Sequence, residues 1–179
     1  MKKTFILVAV LVFLFSCGNK QLNKTEEDLE KITENKILIL SEDSEKVVFK
    51  DEKGNIVIEN KEYLMSFTDT FYTMAIVLSE KEGFIGIDRD QNTLFNIFNY
   101  DNGPDYISEG LFRIIEEGKI GYANLTGEIV IKPQFSCAYP FEEGKAKVAK
   151  NCNISKLDEH ETWESEEWFF IDKKGNTVK

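Results

Sequence analysis

The chain has 179 residues, with 22 Lys and Arg against 32 Asp and Glu, a formal net charge of −10. A negative field of that size disfavours phosphate backbones and anionic headgroups, which takes nucleic acid off the list of expected partners and leaves a cationic partner or plain solubility as its use. Fourteen Phe in a chain that is 12% aromatic supply enough apolar surface for a real core, so disorder is expected only toward the ends.

The first seventeen residues read as an export leader. Lys2 and Lys3 form a short basic start, Phe5 to Phe15 run without a charge or a helix breaker, and Leu14-Phe15-Ser16-Cys17 closes the segment. The apolar centre is too short to be a comfortable membrane span. The closing residues resemble the lipobox of bacterial lipoproteins, where an aliphatic residue stands three places before a modified cysteine; Phe15 is bulkier than the usual occupant of its position. The resemblance implies diacylglycerol on the Cys17 thiol, cleavage before Cys17 and acylation of the new amino terminus. The alternative is an uncleaved apolar anchor. Residues 1–16 are then a signal peptide, and the remainder, roughly 160 residues, has the size of one domain. Several acyl chains give a stable membrane attachment where one alone is marginal. With Gly18 after the cysteine and no Asp there to suggest inner-membrane retention, the expected location is the bacterial outer membrane, on its periplasmic or surface face.

Residues 17–36 are polar, with Leu22, Leu29 and Ile32 as the large apolar side chains. Thr25 and Asp28 suit a capping box for a short helix, but a lipid-anchored tether is the simpler expectation. As a flexible coil it holds the following domain roughly 25 Å from the bilayer.

From residue 37 to 179 the pattern becomes short apolar or alternating runs broken by turn residues, the signature of β structure. The expected strands are Ile37–Leu40, Val47–Phe49, Ile56–Ile58, Ala75–Leu78, Phe84–Ile87, Leu94–Phe98, Leu111–Ile115, Ile120–Ala123, Ile129–Ile131, Ala146–Ala149 and Trp168–Ile171. No stretch in this region keeps a helical period over three turns, so the fold class is all-β.

The strands repeat. Phe49-Lys50-Asp51-Glu52-Lys53-Gly54-Asn55-Ile56-Val57 lines up with Tyr122 to Val130 and with Phe170 to Val178, and Gly86 to Leu94 is a degenerate copy. Gly54, Gln91, Gly127 and Gly175 fall at a near-constant spacing except for the last interval, which is longer by about twelve residues owing to a polar insert around Ile154 to Glu166. Every copy reverses the chain in the same way. An Asp or Asn side chain opens a tight turn by accepting a backbone N–H, and the glycine three places on takes the positive φ that re-enters the next strand. Gly54, Gly127 and Gly175 are thus the turn-defining residues. Gln91 breaks the rule, and Asn92 is expected to take over the left-handed position. A second element recurs in step. Glu109-Gly110-Leu111-Phe112-Arg113-Ile114 matches Glu143-Gly144-Lys145-Ala146-Lys147-Val148, with Thr73 to Val77 in the place of a first copy. One unit is three strands separated by two turns, and such units stack because a single one cannot bury its own apolar face.

Three segments carry a resemblance to the WG-repeat family: Gly118-Lys119-Ile120-Gly121-Tyr122, Gly127-Glu128-Ile129-Val130-Ile131-Lys132-Pro133-Gln134-Phe135, and Ala138-Tyr139-Pro140-Phe141-Glu142-Glu143-Gly144-Lys145-Ala146. That family carries a Trp-Gly-Tyr/Phe-Ile-Asp strand, a glycine turn, a Val-Ile-Pro strand end and a Phe-x-x-Gly-x-Ala segment. The resemblance is specific over 109–149, weakens across 83–179, and leaves 45–82 as an eroded copy. It implies tandem three-stranded repeats stacked into one domain, and it supplies no catalytic residue and no cofactor. No copy here keeps a Trp-Gly pair: Ile120 stands where the Trp would be, and Trp168 is followed by Phe169.

The residues that carry chemistry are few. With Cys17 lipidated, Cys137 and Cys152 remain, either joined by a disulfide that an exported compartment allows or left as two buried thiols. His160 is the single histidine, and with the cysteines it shows no zinc spacing, so no metal is expected. The insert from Asp158 to Trp168 sets two Trp among acids; His160 and Trp163 are the candidate partner contacts, while the plainer expectation is a solvated loop with Trp168 folded onto the core. Asp101-Asn102-Gly103-Pro104-Asp105-Tyr106 reads as a turn and lacks a calcium-loop pattern. The chain has no nucleophile elbow, phosphate loop or His-Glu-x-x-His motif, and its adjacent acids Glu116-Glu117 and Glu142-Glu143 fall in expected turns. The expected function is therefore a non-catalytic scaffold that holds an envelope protein or glycan at the membrane. The alternatives are a carbohydrate-active hydrolase using paired carboxylates and a structural lipoprotein with no dedicated ligand.

Overall fold

The structure is a computed structural model that describes residues 38–41, 46–157 and 160–178. The expected leader and tether, with Cys17, lie outside the described residues. The described chain is all-β. The first unit holds β1 (Leu38–Leu40), β2 (Val47–Lys50) and β3 (Ile56–Asn60), followed by the short β4 (Tyr63–Ser66) and β5 (Thr70–Phe71). The second holds β6 (Met74–Ser79), β7 (Gly83–Asp88) and β8 (Thr93–Ile97), followed by β9 (Asn99–Tyr100) and β10 (Gly103–Pro104). The third holds β11 (Leu111–Glu116), β12 (Lys119–Asn124) and β13 (Ile129–Phe135), and β14 (Cys137–Ala138) leads out of it. The fourth starts with β15 (Lys145–Ala149), is interrupted by β16 (Asn153–Leu157) and β17 (His160–Glu164), and resumes with β18 (Phe169–Asp172) and β19 (Thr177–Val178).

Each unit is an antiparallel meander; the first joins the second through β4, which pairs with β6, and in the second and third the chain at the third strand also pairs with the next unit. β8 pairs with β7 through Phe95 and Asn96, then with β11 through Asn96 and Ile97. β13 pairs with β12, and the chain two residues later pairs as β14 with β15. The result is a central seven-stranded sheet in the order β13-β12-β11-β8-β7-β6-β4, flanked by the four-stranded sheets β3-β2-β1-β5 and β14-β15-β18-β19.

The turns within the units come from one local device. In the first, the Asp51 carboxylate accepts the backbone N–H of Lys53 and of Asn55 at 2.9 and 2.8 Å and the Asn55 side-chain amide at 2.9 Å. Asp88, Asn124 and Asp172 repeat this with Asp90 and Asn92, Thr126 and Glu128, and Lys174 and Asn176. Gly54, Gly127 and Gly175 take φ of +83°, +86° and +82°, a conformation in which a Cβ is strained. In the second unit the left-handed residue is Gln91 itself, at φ 65°; the expectation that Asn92 takes that place is wrong. Turn geometry fixes which position must be left-handed, and the Asn92 amide is already engaged on Asp88 at 2.9 Å. Glu-Gly pairs at 109–110, 117–118 and 143–144 form a second kind of turn, with positive φ at both residues, the form that matches the twist of a two-residue hairpin. The Glu109 carboxylate ties the third unit to the fourth, accepting the Gly144 N–H at 3.1 Å and pairing with Lys173 at 3.0 Å. Those contacts hold its carboxyl below the usual range.

Burial explains why some strands read as continuous apolar runs and not as alternations. In β6, Ala75 and Val77 face a cluster with Phe49, Ile58, Phe71 and Ile87, while Met74 and Ile76 face another with Ile97, Phe112 and Ile114. At the other end of the central sheet, Leu111, Ile120 and Tyr122 pack with Phe135, Phe141, Val148 and Ile171. Phe49, Phe71 and Tyr122 are fully buried, and burying an apolar side chain of that size contributes about 1.5–3 kcal/mol.

Gly121 plays a different part from the turn glycines. A Cβ there would lie 2.5 Å from the Ile131 oxygen and the Pro133 nitrogen. The register between β12 and β13 shifts from Ile120↔Phe135 to Tyr122↔Ile131, so the bulged Lys132-Pro133 backbone folds directly over the glycine.

The insert departs from the sequence reading. Residues expected to form a solvated loop pair as the hairpin β16–β17, from Asn153↔Glu164 to Leu157↔His160. Its mixed polar sequence hides the alternation, because one face has little to bury. The sequence puts Trp168 in the core at the start of the last strand; the strand begins at Phe169, and it is Trp163 that packs against the core cluster beside Phe98 and Phe169.

Candidate functional site

The site begins with a charge in the wrong place for a strand core. β11 is buried over Leu111-Phe112-Arg113-Ile114, and alternation puts Arg113 on the face opposite Phe112 and Ile114. Its side chain is 3% exposed, and that of Asp105 is fully buried. A buried cation must be paired and hydrogen-bonded to be tolerated. Arg113 is: Nε donates to Asp105 Oδ2 at 2.9 Å, Nη2 donates to Oδ1, and Nη1 donates to the Ala138 carbonyl at 3.1 Å. The Arg113 backbone N–H adds a bond to Oδ2 at 2.7 Å. The segment after β8 thereby becomes attached to β11. The turn expected at 101–106 does form, with β9 paired to β10 across Asp101-Asn102, but its Asp105 serves as the anchor of this pair.

Aromatic rings extend from the ion pair in both directions. The guanidinium carbon lies 4.4 Å from the Phe98 ring centre and 5.6 Å from that of Tyr100, within cation–π range. Tyr100 meets Tyr106 edge-on at 5.4 Å, Phe98 meets Trp163 at 5.8 Å, Trp163 meets Tyr139 at 5.5 Å, and Tyr139 meets Trp168 at 5.5 Å. Lys147 ends the series with its ammonium 4.7 Å from the Trp168 ring. Arg113 and Lys147 both stand three places after a turn glycine, so two successive units present a cation to aromatic rings from the same repeat position.

Phe98, Tyr100, Tyr106, Tyr139 and Trp163 border an open cleft of about 1210 Å³. The buried Arg113 lies at its base, and the exposed Asn99, Asp101, Asn102, Tyr139 and Ile154 stand in its lining with the half-buried Trp163. Tyr100, Tyr106 and Tyr139 are 53%, 46% and 41% exposed, so their rings face solvent while anchored at one edge. Burial raises the Tyr106 hydroxyl above its ordinary value and raises that of Tyr122 strongly. Tyr122 stays a neutral donor to the Tyr139 carbonyl at 2.6 Å, supporting the cleft wall from behind.

The Cys137–Cys152 disulfide is formed, with a Cα separation of 5.9 Å. It joins β14, buried in the core, to the base of the β16–β17 hairpin, and Ser165 donates to the Asn151 carbonyl at 2.7 Å across the same base. Trp163 therefore reaches the cleft from a hairpin with a fixed root.

Of the candidate partner contacts, Trp163 lines the cleft, and His160 opens β17 opposite Leu157. Gly54, Gly127 and Gly175 lie in their turns away from it. Glu116, Glu117, Glu142 and Glu143 are exposed, and none of them lines the cleft. Among the described residues no group of three or more His, Cys, Asp and Glu could hold a metal ion. The sequence reading missed Asp105 and Arg113. The one available signal was an Arg at the centre of an otherwise apolar strand, which demands a buried carboxylate without saying where it lies.

Residues 120–151 match the family model described as WG containing repeat. The match spans the end of the third unit and the beginning of the fourth, including Gly121 and Tyr139. No curated protein matches the chain, and no solved structure does.

Proposed function

We propose that this chain is a bacterial envelope lipoprotein, anchored through Cys17, whose β-repeat domain is a non-catalytic binding module for an envelope protein or glycan. The observation that carries the binding part is the cleft itself: concave, bordered by aromatic rings, with polar side chains converging on it, the usual form of a ligand site. Its carboxylates do not suggest hydrolysis, because Asp105 is consumed by Arg113 and Asp101 stands alone on the rim. The anchoring part rests on the leader and on Leu14-Phe15-Ser16-Cys17. A polar tether then lets the module range over the membrane surface.

Two measurements test this reading. Labelling with a fatty-acid analogue should mark the native chain and not Cys17→Ser, which should also keep its leader; equal labelling and processing of both would refute the anchor. A photo-crosslinking residue at Tyr106, on the cleft rim, should capture an envelope component in intact cells, and absence of any adduct would refute a cleft that is occupied in the cell.

A further inference from the structure

We infer that the cleft takes a neutral oligosaccharide, held by stacking of pyranose faces on the Tyr100, Tyr106, Tyr139 and Trp163 rings and by hydrogen bonds from the Asn99 and Asn102 amides. This inference rests on the binding-module reading and names its ligand class.

Charge comes first. The lining holds two charged side chains, Asp101 and Arg113, and Arg113 is already matched by the Asp105 carboxylate beneath it. The floor is thus locally neutral and set inside a chain of net charge −10, a field that repels uronic or phosphorylated glycans and other anions. A basic peptide would need carboxylates to hold it, and the lining provides Asp101 alone.

Surface chemistry comes second. A peptide that docks by side-chain anchors needs several apolar sockets, yet of the lining aliphatics Ile97 and Ile120 are covered by the core, at 3% and 2% exposure, and Ile154 alone is largely exposed, at 55%. Beside Ile154, the exposed lining is mostly rings and side-chain amides. An aromatic face carries the negative part of the ring quadrupole, and the axial C–H bonds of a pyranose present weak positive charge to it. The hydroxyls around the sugar's edge require partners when they lose water, and side-chain amides both donate and accept.

Preorganisation comes third. Edge-on packing of each ring against its neighbour restrains the ring planes before any ligand arrives, and the Arg113–Asp105 pair and the disulfide hold the two sides of the cleft. Restraint of that kind lowers the ordering cost of binding. The volume exceeds the roughly 300–1,000 Å³ of a small-ligand pocket, which favours a chain of sugars over a single ring.

The test uses the full chain, exported, lipidated and held in a sugar-free zwitterionic detergent, with Trp168→Phe introduced so that Trp163 is the remaining Trp. Chitotetraose, cellotetraose, maltotetraose and mannotetraose are titrated while Trp163 emission is followed, with polygalacturonate and polylysine as charged comparators. At least one neutral tetrasaccharide should shift the emission saturably and independently of salt. Tyr106→Ala, checked for an unchanged melting temperature, should weaken that binding about tenfold, and Tyr106→Phe should restore most of it. The inference is overturned if no neutral sugar binds, if a charged comparator binds as well or better, or if Tyr106→Ala leaves the affinity unchanged. If no sugar binds but a crosslinker at Tyr106 captures a protein in cells, the glycan inference falls and the binding-module reading stands. If both experiments are silent, both fall.

Discussion

The third and fourth units make the same connection in two ways. In the third, β11 turns into β12 through Glu117-Gly118, with Glu116 directly opposite Lys119. In the fourth, β15 reaches β18 only after residues 150–168, which build the β16–β17 hairpin, accept the disulfide from β14 and place Trp163 over Phe98 and Tyr139. The paired strands on either side are alike; the junction alone differs. A stacked repeat leaves its hairpin ends free of core packing, so length and chemistry can change there at little cost to the stack. The long junction brings Ile154 and Trp163 to the cleft, and the short one brings only Gly118.

The contrast can be broken most severely at the cleft floor. Asp105→Ala leaves Arg113 buried without its partner and is expected to cost about 3–5 kcal/mol in denaturant unfolding; a loss under about 1 kcal/mol would mean that water reaches the guanidinium and the floor is not closed. Cutting the root of the long junction comes next. Cys152→Ser, measured against the oxidised native chain, should cost about 3 kcal/mol by the loop-entropy account, and Trp163 emission should move toward that of exposed indole. If emission does not change, the hairpin is held by Trp163 packing alone.

Gly121→Ala tests the regular part of the stack. The new methyl meets backbone of Ile131 and Pro133 that has no rotamer to escape through, so about 1–3 kcal/mol of destabilisation is expected, while an alanine at the exposed Lys119 should be close to neutral. Glu117→Asn should act in the opposite direction, stabilising by about 0.5 kcal/mol because Asn tolerates the positive φ that Glu adopts there at a cost. A loss of stability would show that the Glu117 side chain has a partner worth more than the strain.

The smallest effect is acid sensitivity of the Asx turns. The Asn176 side-chain and backbone amides hold the Asp172 carboxyl below the ordinary aspartate range. Burial pushes Asp88 up, but the side-chain and backbone bonds from Asn92 and the Asp90 N–H together bring it below that range. A carboxyl lowered by folding contributes stability that is complete above its unfolded pKa and is lost as pH falls through the folded one. Asp172→Asn should therefore flatten the melting temperature between roughly pH 4 and pH 2. In the third turn the amide Asn124 stands where the others carry Asp, and its carboxylate contact is Glu128 at 2.8 Å, so Asn124→Asp should add acid sensitivity there; no change would place the titration elsewhere.

Much of the stack was legible because its signals are local. An Asp or Asn three places before a glycine states a turn wherever it occurs, as at Asp51, Asn124 and Asp172, and the apolar runs at 74–78 and 111–115 state strands buried on both faces. Gln91 shows the limit of that legibility, since its left-handed φ follows from the turn's geometry and not from residue preference. The β16–β17 hairpin was hidden because a partly solvated strand pair needs no apolar alternation, and Trp163 joins the core cluster while still lining the cleft because the hairpin root fixes where its indole lands.

By itself the sequence determined the all-β class, the repeat and its turns, each of which follows from contacts between residues a few places apart. Only the tertiary structure decided that Asp105 lies under Arg113, that Cys137 and Cys152 stand within bridging distance, and that rings from three units line one cleft. Those juxtapositions depend on how the units stack and twist, which is set by packing across distances that no local pattern records.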